Sequence, residues 1–162
     1  MKLYKYQERN IEEALYRYRN HNAFYIFDEM GLGKTMQALM IAKSLAQRTA
    51  VVCPPFLKLN WRSEYLNAGF RGDRLCIVQP PKWEVDTDAG FFIFGYSLSQ
   101  KKNGMELLKK ANVSTVIFDE AHFLKNPKSG RYKFFKQVLK KSKVKSLFLT
   151  GTPIMNLSLI HI

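Results

Sequence analysis

The sequence predicts an α/β fold built on a mainly parallel sheet. Three observations carry that prediction. Six apolar runs of four or five residues recur along the chain, each nearly uninterrupted, as in strands covered on both faces. Segments with helical spacing of apolar residues lie between them, and strand–helix alternation produces parallel sheets. The residues richest in chemistry stand directly after apolar runs, where open α/β sheets bind their ligands.

A helix comes before any strand. Ile11, Leu15 and Tyr18 share one of its faces, and Glu13 and Arg17 are spaced as an i,i+4 ion pair. Residues 23–27 form the first apolar run. Residues 34–47 follow as a helix that is apolar on most sides, hence buried. The second run is 50–53, and 57–67 is the helix after it. The third and fourth runs are 75–78 and 91–94, followed by a helix predicted over 98–110. The fifth run is 115–118. Over 131–141, Phe134, Phe135, Val138 and Leu139 make an apolar stripe, with Lys133, Lys136 and Lys140 elsewhere around the helix. The sixth run is 146–149. No internal repeat, low-complexity segment or Pro/Gly/Ser linker interrupts this order.

Composition narrows the class. The 162 residues are 46% apolar and 24% charged, an ordinary globular balance that excludes a disordered tail, a collagen-like repeat or a coiled coil. No run reaches the roughly 18 apolar residues of a membrane span, and the charged N-terminus shows no secretory signal. Cys53 and Cys76 lack CxxC spacing, which fits a reduced intracellular protein and provides no zinc site. His21 and both cysteines read as structural. The expected location is intracellular: the cytoplasm of a bacterium or a virus-infected host, or a eukaryotic nucleus.

Charge points to a polyanion. The chain carries 26 Lys and Arg against 13 Asp and Glu, a formal net charge of +13 with a pI near 9.8. Residues 125–145 hold nine basic residues in 21 and no acidic one. Polyanion binding and a solvated helix face are both open readings of that stretch.

The first run leads into Asp28-Glu29-Met30-Gly31-Leu32-Gly33-Lys34-Thr35. Gly-Lys-Thr is the second half of a phosphate-binding loop. Gly33 lets the backbone approach an oxyanion, and N–H groups of the loop and the next helix point at phosphate oxygens. Lys34 places an ammonium on the β- and γ-phosphates, and the Thr35 hydroxyl suits Mg²⁺. Asp28 stands where the usual pattern has its first Gly; a Gly-rich turn capping a helix is the bland alternative. After the fifth run comes Asp119-Glu120-Ala121-His122. Asp119 suits Mg²⁺ through its water shell, and Glu120 suits an attacking water; acids at a helix start are the alternative. After the sixth run comes Thr150-Gly151-Thr152-Pro153, by itself an ordinary Gly-Pro turn.

Taken together these residues resemble the first RecA-like lobe of superfamily 2 helicases, specifically the Swi/Snf-type DNA-translocating ATPases. DEMGLGKT (28–35) resembles their motif I, in which Asp at the first-Gly position is usual. FDEAHFLKN (118–126) resembles motif II, with a Leu-Lys-Asn extension that other DEAH-box proteins generally lack. LTGTPIMN (149–156) resembles motif III, LYKYQ (3–7) the Q-motif, VVCPPFLKLNW (51–61) motif Ia, and FIFGYSLSQ (92–100) the segment after it. The resemblance spans 3–156, co-linear throughout.

The resemblance implies a three-layer RecA-like P-loop NTPase lobe over 1–156 that binds ATP with Mg²⁺. Gln7 would read adenine, and Glu29, Met30, Gly31, Leu32, Gly33, Lys34 and Thr35 would form the ATP site. Lys34, Asp119 and Glu120 would be catalytic, with Thr35 and Asp119 on Mg²⁺. His122, Thr150, Gly151 and Thr152 would couple ATP to DNA. Pro54, Lys58, Trp61 and Lys125 would meet double-stranded DNA, with core packing an equal reading for Trp61. The family works with a second RecA-like lobe that supplies the arginine finger and motifs IV to VI; these motifs are not in the sequence. An arginine finger contributes about 10³–10⁵ in rate, so this lobe alone is expected to be nearly inactive. Residues 157–162 match one reading frame of a common transposon-end sequencing adapter; the family's own continuation is the other reading, and the nucleotides distinguish them. Other superfamily 2 motors, such as an RNA helicase or a restriction-enzyme motor subunit, are alternatives that the Leu-Lys-Asn extension disfavours. A non-catalytic nucleotide- or DNA-binding module is a further alternative, disfavoured by intact Lys34, Thr35, Asp119 and Glu120. A small-molecule kinase would need neither DEAH nor the basic excess.

Overall fold

A computed structural model describes residues 3–21, 23–29, 31–100, 104–141 and 144–151. Met30, Thr152 and the segment 157–162 lie outside the described residues. The strands are β1 (Ala23–Ile26), β2 (Thr49–Cys53), β3 (Leu75–Val78), β4 (Phe91–Gly95), β5 (Thr115–Phe118) and β6 (Lys145–Leu149). They form one sheet in the order β1-β6-β5-β2-β4-β3, and every pairing is parallel. All six apolar runs are therefore strands, within a residue at either end.

The uninterrupted apolar character of the runs has a simple cause. Successive side chains of a strand point to opposite faces, and here both faces are covered. On one face Ala50, Val52, Phe92, Phe94, Val116, Phe118 and Phe148 meet two helices, α4 (Gly104–Lys110) and α5 (Gly130–Lys141), through Leu107, Leu108, Phe134, Phe135 and Val138. On the other, Val51, Cys53, Ile93, Ile117, Leu147 and Leu149 meet α1 (Lys5–Asn20), α2 (Lys34–Leu45) and α3 (Lys58–Asn67). This is the three-layer α/β arrangement that the sequence predicts.

Three local departures have physical reasons. The second helix ends two residues earlier than its apolar pattern, because Ala46 turns left-handed at φ 49° and caps it. The helix expected over 98–110 is not continuous. A 3₁₀ turn covers Tyr96–Gln100, and α4 begins at Gly104. A Cβ on Gly104 would stand 2.5 Å from the Leu98 carbonyl oxygen and 3.2 Å from the Phe134 ring, so the chain folds back on itself there. In α1 the buried residues are Gln7, Ile11 and Ala14, while Leu15 and Tyr18 are half-buried. The Glu13–Arg17 pair forms as spaced, at 2.8 Å.

Candidate nucleotide site

β1 runs into a loop that ends at the first turn of α2. Gly33 is the N-cap residue in the left-handed region, φ 73° and ψ 33°, and Gly31 sits at φ 85°. These two glycines let the backbone reverse sharply. Lys34 folds back over the loop, its Nζ donating to the Asp28 carbonyl at 2.7 Å and the Glu29 carbonyl at 2.8 Å.

The loop is held from α1. Gln7 is buried; its Oε1 accepts from the Tyr4 N–H at 3.0 Å and its Nε2 donates to the Leu32 carbonyl at 3.2 Å. Tyr6 donates its hydroxyl to the same carbonyl. Asn10 Nδ2 donates to the Asp28 carboxylate and to Gln37 Oε1, and Gln37 Nε2 donates to Asp28 Oδ2 at 2.7 Å. The Asp at the first-Gly position is thus the acceptor that fixes this end of the loop. Asn10 and Gln37 are site residues that sequence reasoning missed. The available signals were Asn10 one turn after Gln7, and Gln37 as the single polar residue within 36–39 of a buried helix.

Gly33 faces Gln7 closely. A Cβ there would stand 2.5 Å from Gln7 Nε2, in a backbone conformation that already disfavours a side chain. Left-handed backbone alone costs roughly 1–2 kcal/mol for a non-glycine residue. Gly33→Ala is expected to lower the melting temperature by about 2–4 °C per kcal/mol lost and to weaken nucleotide binding. Thermal unfolding and nucleotide titration check it; an unchanged melt would mean that the loop relaxes freely.

The acidic pair lies across the cavity. β5 ends at Phe118, and the Asp119 N–H donates to the Val52 carbonyl of the neighbouring β2 at 3.0 Å. Asp119 is 6% exposed. Its Oδ1 accepts from the Glu120 N–H at 2.8 Å, its Oδ2 from the Trp61 indole Nε1 at 2.8 Å, and its carbonyl from the Tyr96 hydroxyl at 2.7 Å. Burial pushes the Asp119 carboxyl upward, opposed by the Trp61 and Glu120 hydrogen bonds. Burial also pushes the Cys53 thiol up to about 12, with the Asp119 charge adding to the effect. Glu120 is half-buried at φ 50° and starts a 3₁₀ turn over Ala121–Leu124. Its Oε2 is 3.0 Å from His122 Nδ1, off the line of a hydrogen bond. Thr150 follows β6, between β1 and β5, and its N–H donates to the Ile26 carbonyl. It is fully buried, with Gly151 half-buried beside it.

The parts meet in one cavity of about 330 Å³, lined by Gly31, Gly33, Lys34, Thr35, Asp119 and Glu120 and closed by Leu57, Asn60 and Glu64. A larger groove of about 500 Å³ runs between α1 and the edge strand β1, away from the acidic pair. Chemistry, not volume, makes the smaller cavity the site. Thr35 and Asp119 supply a hydroxyl and a carboxylate to the same space. Magnesium keeps several waters and takes one or two carboxylates plus substrate phosphates, so this donor set fits it. Among the described residues no group of three or more His, Cys, Asp or Glu forms a separate metal cage.

The side chains of Pro54, Lys58 and Trp61, expected near motif Ia to meet DNA, turn inward. Pro54 is buried, Lys58 is 7% exposed and Trp61 is 0% exposed. Lys58 Nζ donates to the Val78 carbonyl, and burial lowers the pKa of its ammonium. Lys58 and Trp61 pack inward because α3 lies flat on the sheet, with Lys58, Trp61 and Tyr65 on its buried face. Lys125 is exposed at the carboxyl side of the sheet, as is Lys128. The basic stretch divides: Arg131 stacks on the Tyr96 and Phe123 rings, whereas Lys145 sits at the start of β6 against Tyr18, at the opposite end of the sheet.

A model of the SNF2-related domain matches residues 6–162. The chain belongs to the SNF2-related domain family. Relatives in that family include a Caenorhabditis elegans homologue of SWI/SNF-related matrix-associated actin-dependent regulator of chromatin subfamily A-like protein 1, 34% identical over 96% of this chain and 22% of its own length. The ATP-dependent helicase fft1 of Schizosaccharomyces pombe is 32% identical over 80% of this chain and 15% of its own. The Sulfolobus solfataricus SWI2/SNF2 ATPase core, solved in complex with dsDNA, superimposes with a TM-score of 0.79 at 25% identity, covering 96% of this chain and 33% of that one. The SNF2-related chain thus spans less than a quarter of the length of each of these two curated relatives, and its fold is the RecA-like lobe of a Swi/Snf-type ATPase. Among the described residues of this SNF2-related lobe, no helix is long and apolar enough to cross a membrane.

Proposed function

We propose that this SNF2-related lobe is the ATP-binding half of a DNA-dependent ATPase that moves along duplex DNA and remodels protein–DNA complexes. One observation carries the reading: the phosphate loop and the Asp119–Glu120 pair face each other across one cavity. Lys34 exchanges its loop carbonyls for phosphate oxygens when ATP enters. Glu120 orients and deprotonates the water that attacks the γ-phosphorus; the bond to the bridging oxygen breaks, leaving ADP and phosphate. Thr35 and Asp119 hold Mg²⁺, which neutralises charge on the transferred phosphoryl group when bound. Gln7 reads adenine, from a position where it also ties the loop to α1 through the Leu32 carbonyl. His122, Thr150, Gly151 and Thr152 relay the state of the cavity to DNA, and a second RecA-like lobe of the same protein closes over it.

Exposed Lys125 and Lys128 offer phosphate contacts on the carboxyl side of the sheet. DNA affinity of the protein is expected to fall with salt, with a log–log slope near −0.9 for each phosphate neutralised. Titrating duplex DNA at several salt concentrations checks this; a salt-independent affinity would oppose backbone binding. Duplex DNA, more than RNA, is expected to stimulate ATP hydrolysis in the two-lobe protein. Stimulation by RNA alone would reject the duplex-translocase reading in favour of an RNA motor.

A further inference from the structure

We propose that Trp61 is a positioning residue for Asp119, so that α3 ties the metal-binding carboxylate to the segment that precedes the helix. The inference rests on the ATPase reading above. Trp61 is fully buried, and its indole N–H donates to Asp119 Oδ2 at 2.8 Å. Packing alone needs no donor there, because a phenyl ring would fill an apolar site against Phe91. Indole is donor-only, and here it is aimed at a carboxylate from another element, 58 residues away in the chain. Among the described contacts it is the one side-chain donor to that carboxylate; the other is the Glu120 backbone N–H. These two bonds set the rotation of the carboxylate, leaving its remaining lone pairs toward the cavity.

The same helix lines the cavity. Asn60 and Glu64 face it from α3, and Leu57 from the turn Pro55–Leu57 just before. Any shift of α3 along the sheet therefore moves the cavity wall and the Asp119 clamp together. That gives the segment after β2 a direct line to the metal site, through one hydrogen bond rather than a long relay.

The test uses the two-lobe protein. Trp61 is replaced by its benzothienyl isostere, in which sulfur stands for N–H at the same shape, and separately by Phe. Binding of a fluorescent ATP analogue is measured with Mg²⁺ and with EDTA, beside thermal unfolding. The ¹⁵N–¹H signal of the Trp61 indole is followed as Mg²⁺ and nucleotide are added to the unsubstituted protein. Lost outer-sphere support typically weakens metal binding roughly 10–100-fold. The expected result is a loss of that size in the Mg²⁺-dependent gain in affinity, with EDTA binding and the melting temperature of the isostere unchanged, and an indole signal that shifts with Mg²⁺. A full Mg²⁺-dependent gain in the isostere overturns the proposal. Asp119→Asn is measured alongside. If it loses the gain while the isostere keeps it, only the positioning role fails; if it too keeps the gain, the ATPase reading fails and the proposal with it.

Discussion

Lys34→Ala is expected to abolish measurable DNA-stimulated ATP hydrolysis and to weaken nucleotide binding in the two-lobe protein. The ammonium has two tasks. Without nucleotide it closes the loop by donating to the Asp28 and Glu29 carbonyls. In the proposed ATPase it moves with nucleotide to phosphate oxygens, where charge develops as the γ-phosphoryl transfers. Removing one such preorganised donor typically costs about 10²–10³ in rate. Alanine supplies neither bond, and the loop loses its tie as well, so binding falls with turnover. A nucleotide titration and a steady-state ATPase assay with duplex DNA check both parts. Unchanged turnover would remove the phosphate-loop argument altogether.

Glu120→Gln is expected to separate binding from chemistry. The substitution keeps shape and leaves the left-handed backbone at Glu120 as it is, so the fold is preserved. What disappears is the cavity-lining carboxylate that the proposed mechanism uses as its base. General base catalysis contributes typically 10²–10⁴-fold, and hydrolysis should fall within that range while ATP remains bound. His122 Nδ1, 3.0 Å from the Glu120 carboxylate, gains an amide neighbour in place of a charge. Filter binding or fluorescence titration with ATP, run beside the hydrolysis assay, reads the split. Loss of binding instead would make Glu120 a metal or structural residue.

Both variants act on residues whose positions were legible in the sequence. Gly33-Lys34-Thr35 follow one apolar run and Asp119-Glu120 another, and parallel strands deliver both segments to the same end of the sheet. The wall of the cavity was less legible. Leu57 and Asn60 lie within the segment that resembles motif Ia and Glu64 just after it, yet their spacing points to no nucleotide cavity; they line it because α3 packs on the sheet beside α2. Asn10 and Gln37 are similar: each is an ordinary amide until Asp28 comes within hydrogen-bond distance.

The inward face of α3 shows why pattern reading stops where it does. Lys58, Trp61 and Tyr65 are spaced for one side of a helix. A lysine on that side hides the apolar stripe, since lysine is rarely buried. Its burial here depends on a carbonyl of β3, Val78, to receive the ammonium. No local feature of the sequence announces that acceptor.

By itself the sequence determined the strands, the parallel sheet, the phosphate loop and the acidic pair, because each follows from short-range spacing of residue types. Tertiary structure alone decided that Lys58 and Trp61 turn inward, that α1 grips the loop through Gln7 and Asn10, and that Trp61 meets Asp119. Those outcomes join elements 18 to 58 residues apart at hydrogen-bond distances. Chain order does not encode such distances; the packing of helices on a finished sheet does.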